Sequence, residues 1–187
     1  MRKPILNILR CSSLYLRSLC RSHAITSTAQ VENTGNFSLE ETQGQPWKLF
    51  LSPVDTAIAH SVSCDFQMDK GIAKQFLKQY GNFNELIEKG LDFPEGREVG
   101  KIGVLQTKER FVYYLITRPK WWDSSTLRAM EQSLHSMQSH CIQNNVKRLA
   151  IPRIGAHYDR LEWDKVRGLI TDIFQHSNIT ITAYTHR

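Results

Sequence analysis

The 187-residue chain predicts an α/β fold, one sheet covered by helices on both faces. Three observations carry this. Strand-like and helix-like segments alternate from about residue 57 to the C-terminus. The strand-like segments are short apolar runs, the pattern of strands buried on both faces. The helical segments are amphipathic, each with one apolar stripe. The length suits a single domain with a real core plus an extension.

Taken in order, residues 24–44 are polar and lack sustained periodicity, and residues 32–44 read as a linker with the domain beginning at Gln45. After Pro46, the apolar run WKLFLS bounded by Pro53 reads as a strand. AIAHSVS (57–63) reads as a buried strand. GIAKQFLKQY follows as a helix, with Ile72, Phe76 and Tyr80 at helical spacing and Gly81 as its stop. FNELIEKG is a second, short helix. KIGVLQTKERFVYYLIT is a hairpin with a polar turn at 107–109. A long helix over about 124–145 presents Leu127, Met130, Leu134, Met137 and Cys141 on one face, so the methionines read as core. VKRLAIPRI is the next strand. A helix burying Trp163, Val166, Leu169, Ile170, Ile173 and Phe174 follows, and ITITAYTH closes the sheet.

The formal charge of +6 is unevenly placed. Residues 1–31 hold Arg2, Lys3, Arg10, Arg17 and Arg21 and no acid, which leaves 19 Lys+Arg against 18 Asp+Glu in the remainder. The domain itself is nearly neutral, so a basic surface for nucleic acid is not supported. On a helix, four of the leader's cations share one face, with Ile5, Ile8, Tyr15, Leu16 and Leu19 roughly opposite. A basic, acid-free amphipathic segment is the signature of a mitochondrial targeting leader, which predicts the matrix as destination. A plain basic tail is the alternative, leaving the protein in the cytoplasm or nucleus. Charges interrupt every apolar run in the leader, which argues against a secretory core or a membrane span. Cys64 and Cys141 lie far apart in no ligand spacing, so neither a disulfide framework nor a metal site is expected.

No phosphate-loop, dinucleotide, zincin or nucleophile-elbow motif is present. Three loops that follow strands carry the chemistry, since ligands of open α/β sheets bind outside the carboxyl ends of the strands. The first runs from Ser63 to Gly71, where free N–H groups at a helix mouth favour an anion such as a diphosphate. The second places Arg118 and Lys120 at a strand end, two cations able to clamp phosphate or sugar oxygens. The third, IPRIGAHYDRLEW, sets Arg153, Gly155, His157 and Asp159 between a strand and a helix. Asp159 can serve as a general base. It also stands three residues before Glu162, the spacing of a helix capping box, and the two roles are compatible.

Five segments in order, LFLSP, AHSVSCDFQMDKGIAKQF, YYLIT, SHCIQNNV and IPRIGAHYDRLEW, resemble the macrodomain family from about Trp47 onward. They are most similar to the branch that removes terminal ADP-ribose from proteins and acyl groups from O-acyl-ADP-ribose. The resemblance implies a three-layer α/β/α fold with a mixed central sheet over 45–187, no cofactor, and ADP-ribose in a cleft at the strand ends. It implies that Ser63 and the Met68–Ala73 loop (Met68, Gly71, Ile72, Ala73) lie beside the distal ribose and diphosphate. Arg153, Ile154, Gly155, Ala156 and His157 would form the second phosphate loop, and Asp159 would be the catalytic carboxylate. The expected partners are ADP-ribose, O-acyl-ADP-ribose and mono-ADP-ribosylated proteins, handled by a monomer.

The chain departs from the branch pattern at the adenine-binding Asp, where Trp47 and Lys48 stand. It departs again at Asp69 and Lys70 of the glycine loop, and at His157 in place of a glycine. Arg118 replaces the branch's nucleophilic lysine, and a guanidinium stays charged where an amine can lose its proton and attack. The expected function is hydrolysis of ester-linked ADP-ribose with Asp159 activating water and Arg118 or Lys120 assisting. The alternative is a catalytically impaired module that binds ADP-ribose without turnover.

Overall fold

The structure, a computed structural model, describes residues 35–156 and 159–185. The proposed leader (1–31) and His157 lie outside the described residues. The six strands are β1 (Ser38–Gln43), β2 (Ala57–Ser63), β3 (Ile102–Gln106), β4 (Phe111–Arg118), β5 (Arg148–Pro152) and β6 (Thr180–Thr185). They form one mixed sheet in the order β1-β6-β5-β2-β4-β3, with only the β3–β4 hairpin antiparallel. Helices α1 (Gly71–Tyr80) and α2 (Phe83–Glu88) cover one face, and α3 (Leu127–Gln143) and α4 (Trp163–Phe174) the other.

Two cores follow from the strand alternation. Ala57, Ala59, Tyr113 and Leu115 point to α3 and α4, where Met130, Leu134, Met137, Val166 and Phe174 are buried. Ile58, Val62, Val112, Tyr114 and Ile116 point to Phe76 of α1 and Leu86 of α2. Thr126 caps α3 by accepting from the Ala129 N–H at 3.1 Å, and Asn82 caps α2 in the same way. The expected three-layer architecture is therefore present.

Two sequence expectations are corrected. The segment read as linker contains β1, so the domain begins before Gln45. β1 is an edge strand whose residues 40–43 are exposed, and only Phe37 and Leu39 reach the core. Parallel pairing with β6 over six residues, not an apolar run, holds it. The WKLFLS stretch is a 3-10 helix, Pro46–Leu51, rather than a strand. Proline at its first position favours a helical start, and Leu49 alone of the helix is fully buried while Leu51 faces solvent.

One core group has a pH consequence. The His60 ring is fully buried, stacked on Phe76 at 3.8 Å with Tyr114 edge-on at 5.1 Å, and neither ring nitrogen has a hydrogen-bond partner among the described residues. Burial pushes its pKa down from 6.5 to about 3, so it is neutral in the fold. Below pH 6.5 the unfolded chain binds a proton there that the folded chain does not. His60's contribution is thus complete above that pH and is lost as pH falls toward 3, at up to ~1.4 kcal/mol per pH unit. His60→Phe, which keeps the stack, is expected to flatten the decline in urea-unfolding stability between about pH 6 and pH 4. An unchanged slope would assign the acid sensitivity to other groups.

Candidate active site

The carboxyl ends of β2, β4, β5 and β6 open into a cavity of about 580 Å³. One wall is the N-terminus of α1. Its first backbone bond runs from Lys74 N–H to Lys70 O, so the Gly71, Ile72 and Ala73 amides precede the helical ladder and point out of the helix end. Lys70, the N-cap residue, makes no side-chain cap. Gly71 has φ +56°, a left-handed conformation that glycine takes without strain. The opposite wall is the turn after β5, with Arg153, Ile154, Gly155 and Ala156 in the lining. Gly155 has φ +81°, and a Cβ there would meet Val166 at 3.0 Å and Leu161 at 3.2 Å. Its carbonyl accepts from Leu161 N–H at 2.8 Å, which folds the turn back onto the sheet end.

Asp159 is delivered by that turn to the floor of the cavity, 3% exposed. Four groups donate to it. Thr117 (3.0 Å), Ser125 and Arg118 Nη1 converge on Oδ1, and Ser61 reaches Oδ2 at 2.5 Å. Strand parity supplies two of the donors. Ser61 continues the Ala57–Ala59 phase of β2, and Thr117 continues the Tyr113–Leu115 phase of β4. The β2–β4 register shifts at Val62/Ser63, so Ser63 pairs with Arg118 and Thr117 is left beside the carboxylate. Arg118 and Asp159 form a buried ion pair, and Arg118 Nε is buried with no partner among the described residues. A guanidinium with one nitrogen on a carboxylate and an arm along the cavity can neutralise charge there but cannot attack carbon.

The capping-box role for Asp159 is corrected. The N-cap of α4 is Glu162, which makes no side-chain cap, and the Asp159 carboxylate is engaged below it. Of the residues the resemblance implied, Gly71, Ile72, Ala73, Arg153, Ile154, Gly155, Ala156, Arg118 and Asp159 line the cavity together. Ser63 does not: it is fully buried and donates to Asp65. Met68 does not either, because it is packed in the α1–α2 core beside Phe66 and Phe76. Lys120 is exposed and lies outside the lining, in a turn whose own N–H is held by Asp123 at 3.1 Å. Lys48 is outside the lining too. Gln45, Pro46 and Trp47 form that end, with Tyr184.

Residues missed in the sequence are Ser61, Thr117 and Ser125 around the carboxylate, and Trp121 and Trp163 at the rim. Trp163 donates to Glu41 at 3.3 Å, and Arg153 lies over its ring at 5.7 Å and pairs with the same Glu41 at 3.3 Å. The edge strand thereby braces the second loop. Among the described residues no group of three His, Cys, Asp or Glu could hold a metal ion.

Comparison with known proteins places the chain in a family. The Macro domain family model matches residues 59–170. The human protein "ADP-ribose glycohydrolase OARD1" (Homo sapiens) is 37% identical over 137 residues, 73% of this chain and 86% of its own length. The macrodomain of Thermus aquaticus DarG has the same fold, with a TM-score of 0.65 at 22% identity, over 80% of this chain and 99% of that one. Thermosipho africanus DarTG, solved in complex with ADP-ribose, gives a TM-score of 0.60 at 19% identity, over 78% of this chain and 41% of that one. By the family match and the human relative together, the chain belongs to the macrodomain family.

Proposed function

We propose that this cleft binds ADP-ribose and that the protein hydrolyses the ester joining the distal ribose to a glutamate, an aspartate or a small acyl group. The observation that carries the reading is the placement of Asp159. It is a carboxylate held by four donors on the floor of a cavity whose walls are a helix N-terminus and a glycine turn. Amides at a helix N-terminus suit the diphosphate, and a fixed carboxylate beside the ribose suits general-base activation of water. The name of the human relative, an ADP-ribose glycohydrolase, supports the same chemistry. With arginine at 118, the route is direct attack by water, and the guanidinium stabilises charge on the departing carboxylate.

A second reading follows from the ion pair. Arg118 neutralises Asp159 in the resting cleft, which favours binding without turnover. Two measurements on the whole chain separate the readings. Calorimetric titration with ADP-ribose is expected to give micromolar binding, and incubation with a glutamate-linked ADP-ribosyl protein is expected to release free ADP-ribose. Binding without release would leave a binding module. Absence of binding by a folded sample would overturn both.

A further inference from the structure

Among the described residues, one hydroxyl on the floor of the cleft, that of Ser61, faces both the cavity and the carboxylate. Thr117 and Ser125 are buried, and with Arg118 they crowd Oδ1 of Asp159. A carboxylate oxygen has two lone-pair sites, so three donors fill Oδ1 and fix the plane of the group. Oδ2 receives only Ser61 among the described residues, and Ser61 lines the cavity. Oδ2 is therefore the oxygen with acceptor capacity left for a group in the cleft. Ser63, the hydroxyl two residues on, is turned away to Asp65.

We propose that Ser61 is a positioning residue that orients the attacking water. The proposal rests on the hydrolytic reading above. The one hydroxyl proton of Ser61 is committed to Oδ2, so its oxygen can only accept from the cleft. A water set between Ser61 Oγ and Asp159 Oδ2 gives one proton to each, and its remaining lone pairs point away from both, toward the ribose. On attack the bond from water oxygen to the anomeric carbon forms, and the bond from that carbon to the ester oxygen breaks. The electron pair leaves with the carboxylate of the side chain, and the water proton passes to Oδ2 and then to solvent. Ser61 gains and loses nothing in the step. It fixes a direction, which a carboxylate with one free oxygen cannot do alone.

The test compares Ser61→Ala and Ser61→Thr with the wild type on a glutamate-linked ADP-ribosyl protein, alongside calorimetric titration of ADP-ribose. Ser61→Ala is expected to lower kcat by about 10–100-fold, with KM and ADP-ribose affinity within about twofold. Threonine keeps the hydroxyl and suits a strand, and it is expected to recover most of the loss. A role in packing alone would not give that split or that rescue. The proposal is overturned if the alanine variant keeps its kcat, if KM rises while kcat holds, or if threonine is no better than alanine. Should alanine fail to fold, an inactive but folded threonine variant also overturns it. If the wild type binds ADP-ribose yet releases none, the hydrolytic reading falls and takes this one with it. Normal turnover in Ser61→Ala removes only the role of Ser61.

Discussion

Asp159→Asn is expected to lower hydrolysis of glutamate-linked ADP-ribose by about 10²–10⁴-fold, the contribution of a positioned general base. The substitution is close to isosteric. An asparagine carbonyl still accepts from Thr117, Ser125 and Arg118, and its amide can donate to a rotated Ser61 hydroxyl. What disappears is the capacity to take a proton. ADP-ribose affinity should hold, because the helix amides at Gly71–Ala73 and the turn at Gly155 are untouched. Arg118 loses its counter-ion, yet its side chain borders the open cavity and water can solvate it, so the variant should remain folded with a reduced Tm. Steady-state release of ADP-ribose, paired with calorimetry, reads both effects. A rate within a few-fold of the wild type would remove Asp159 from the chemistry.

Much of this fold is legible in the sequence where one physical signal dominates. Strands β2, β4 and β5 are buried and mostly apolar, and α3 carries an uninterrupted stripe, so these elements follow from the residues, although α3 and β5 end two or three residues inside the expected bounds. β1 is not legible because its stability comes from backbone pairing with β6 and from Glu41, which binds Arg153, Arg167 and Trp163 from distant parts of the chain. The 3-10 helix at Pro46 is hidden by a run of apolar residues of which one is fully buried. The site divides in the same way. Gly71 and Gly155 announce themselves, since left-handed backbone favours glycine and turns follow strands. Asp159 stands out as an acid at a sheet end. Ser61, Thr117 and Ser125 carry no spacing signal, because hydroxyls in buried segments look like ordinary tolerated serines until the turn after β5 brings the carboxylate onto them. Ser63 was the wrong hydroxyl for a related reason. Ser61 keeps the phase of Ala57 and Ala59, whereas Ser63 stands at the β2–β4 register shift and donates to Asp65, a contact invisible in one dimension.

Arg118→Met is expected to destabilise the domain by about 3–5 kcal/mol, because it strands a buried carboxylate that now has hydroxyl donors only. For a domain of this size that corresponds to a fall in Tm of about 6–20 °C. Arg118→Lys separates the structural role from the chemical one. An ammonium can still meet Oδ1, so most of the stability should return, and the buried Nε without a partner is gone. The amine also brings back a potential nucleophile beside Asp159, which can take its proton. In that variant the amine would displace the carboxylate from the anomeric carbon, leaving ADP-ribose joined to residue 118 until water releases it. Hydrolysis is expected to rise by about tenfold, ~1.4 kcal/mol of barrier, with a covalent adduct visible by intact-protein mass spectrometry after acid quench. The wild type should show no such adduct under the same quench, since guanidinium does not attack. Stability restored without adduct or rate gain would mean that residue 118 is set too far from the ribose to act as a nucleophile. Arginine would then have been accepted in a cleft whose chemistry already ran through water held by Asp159.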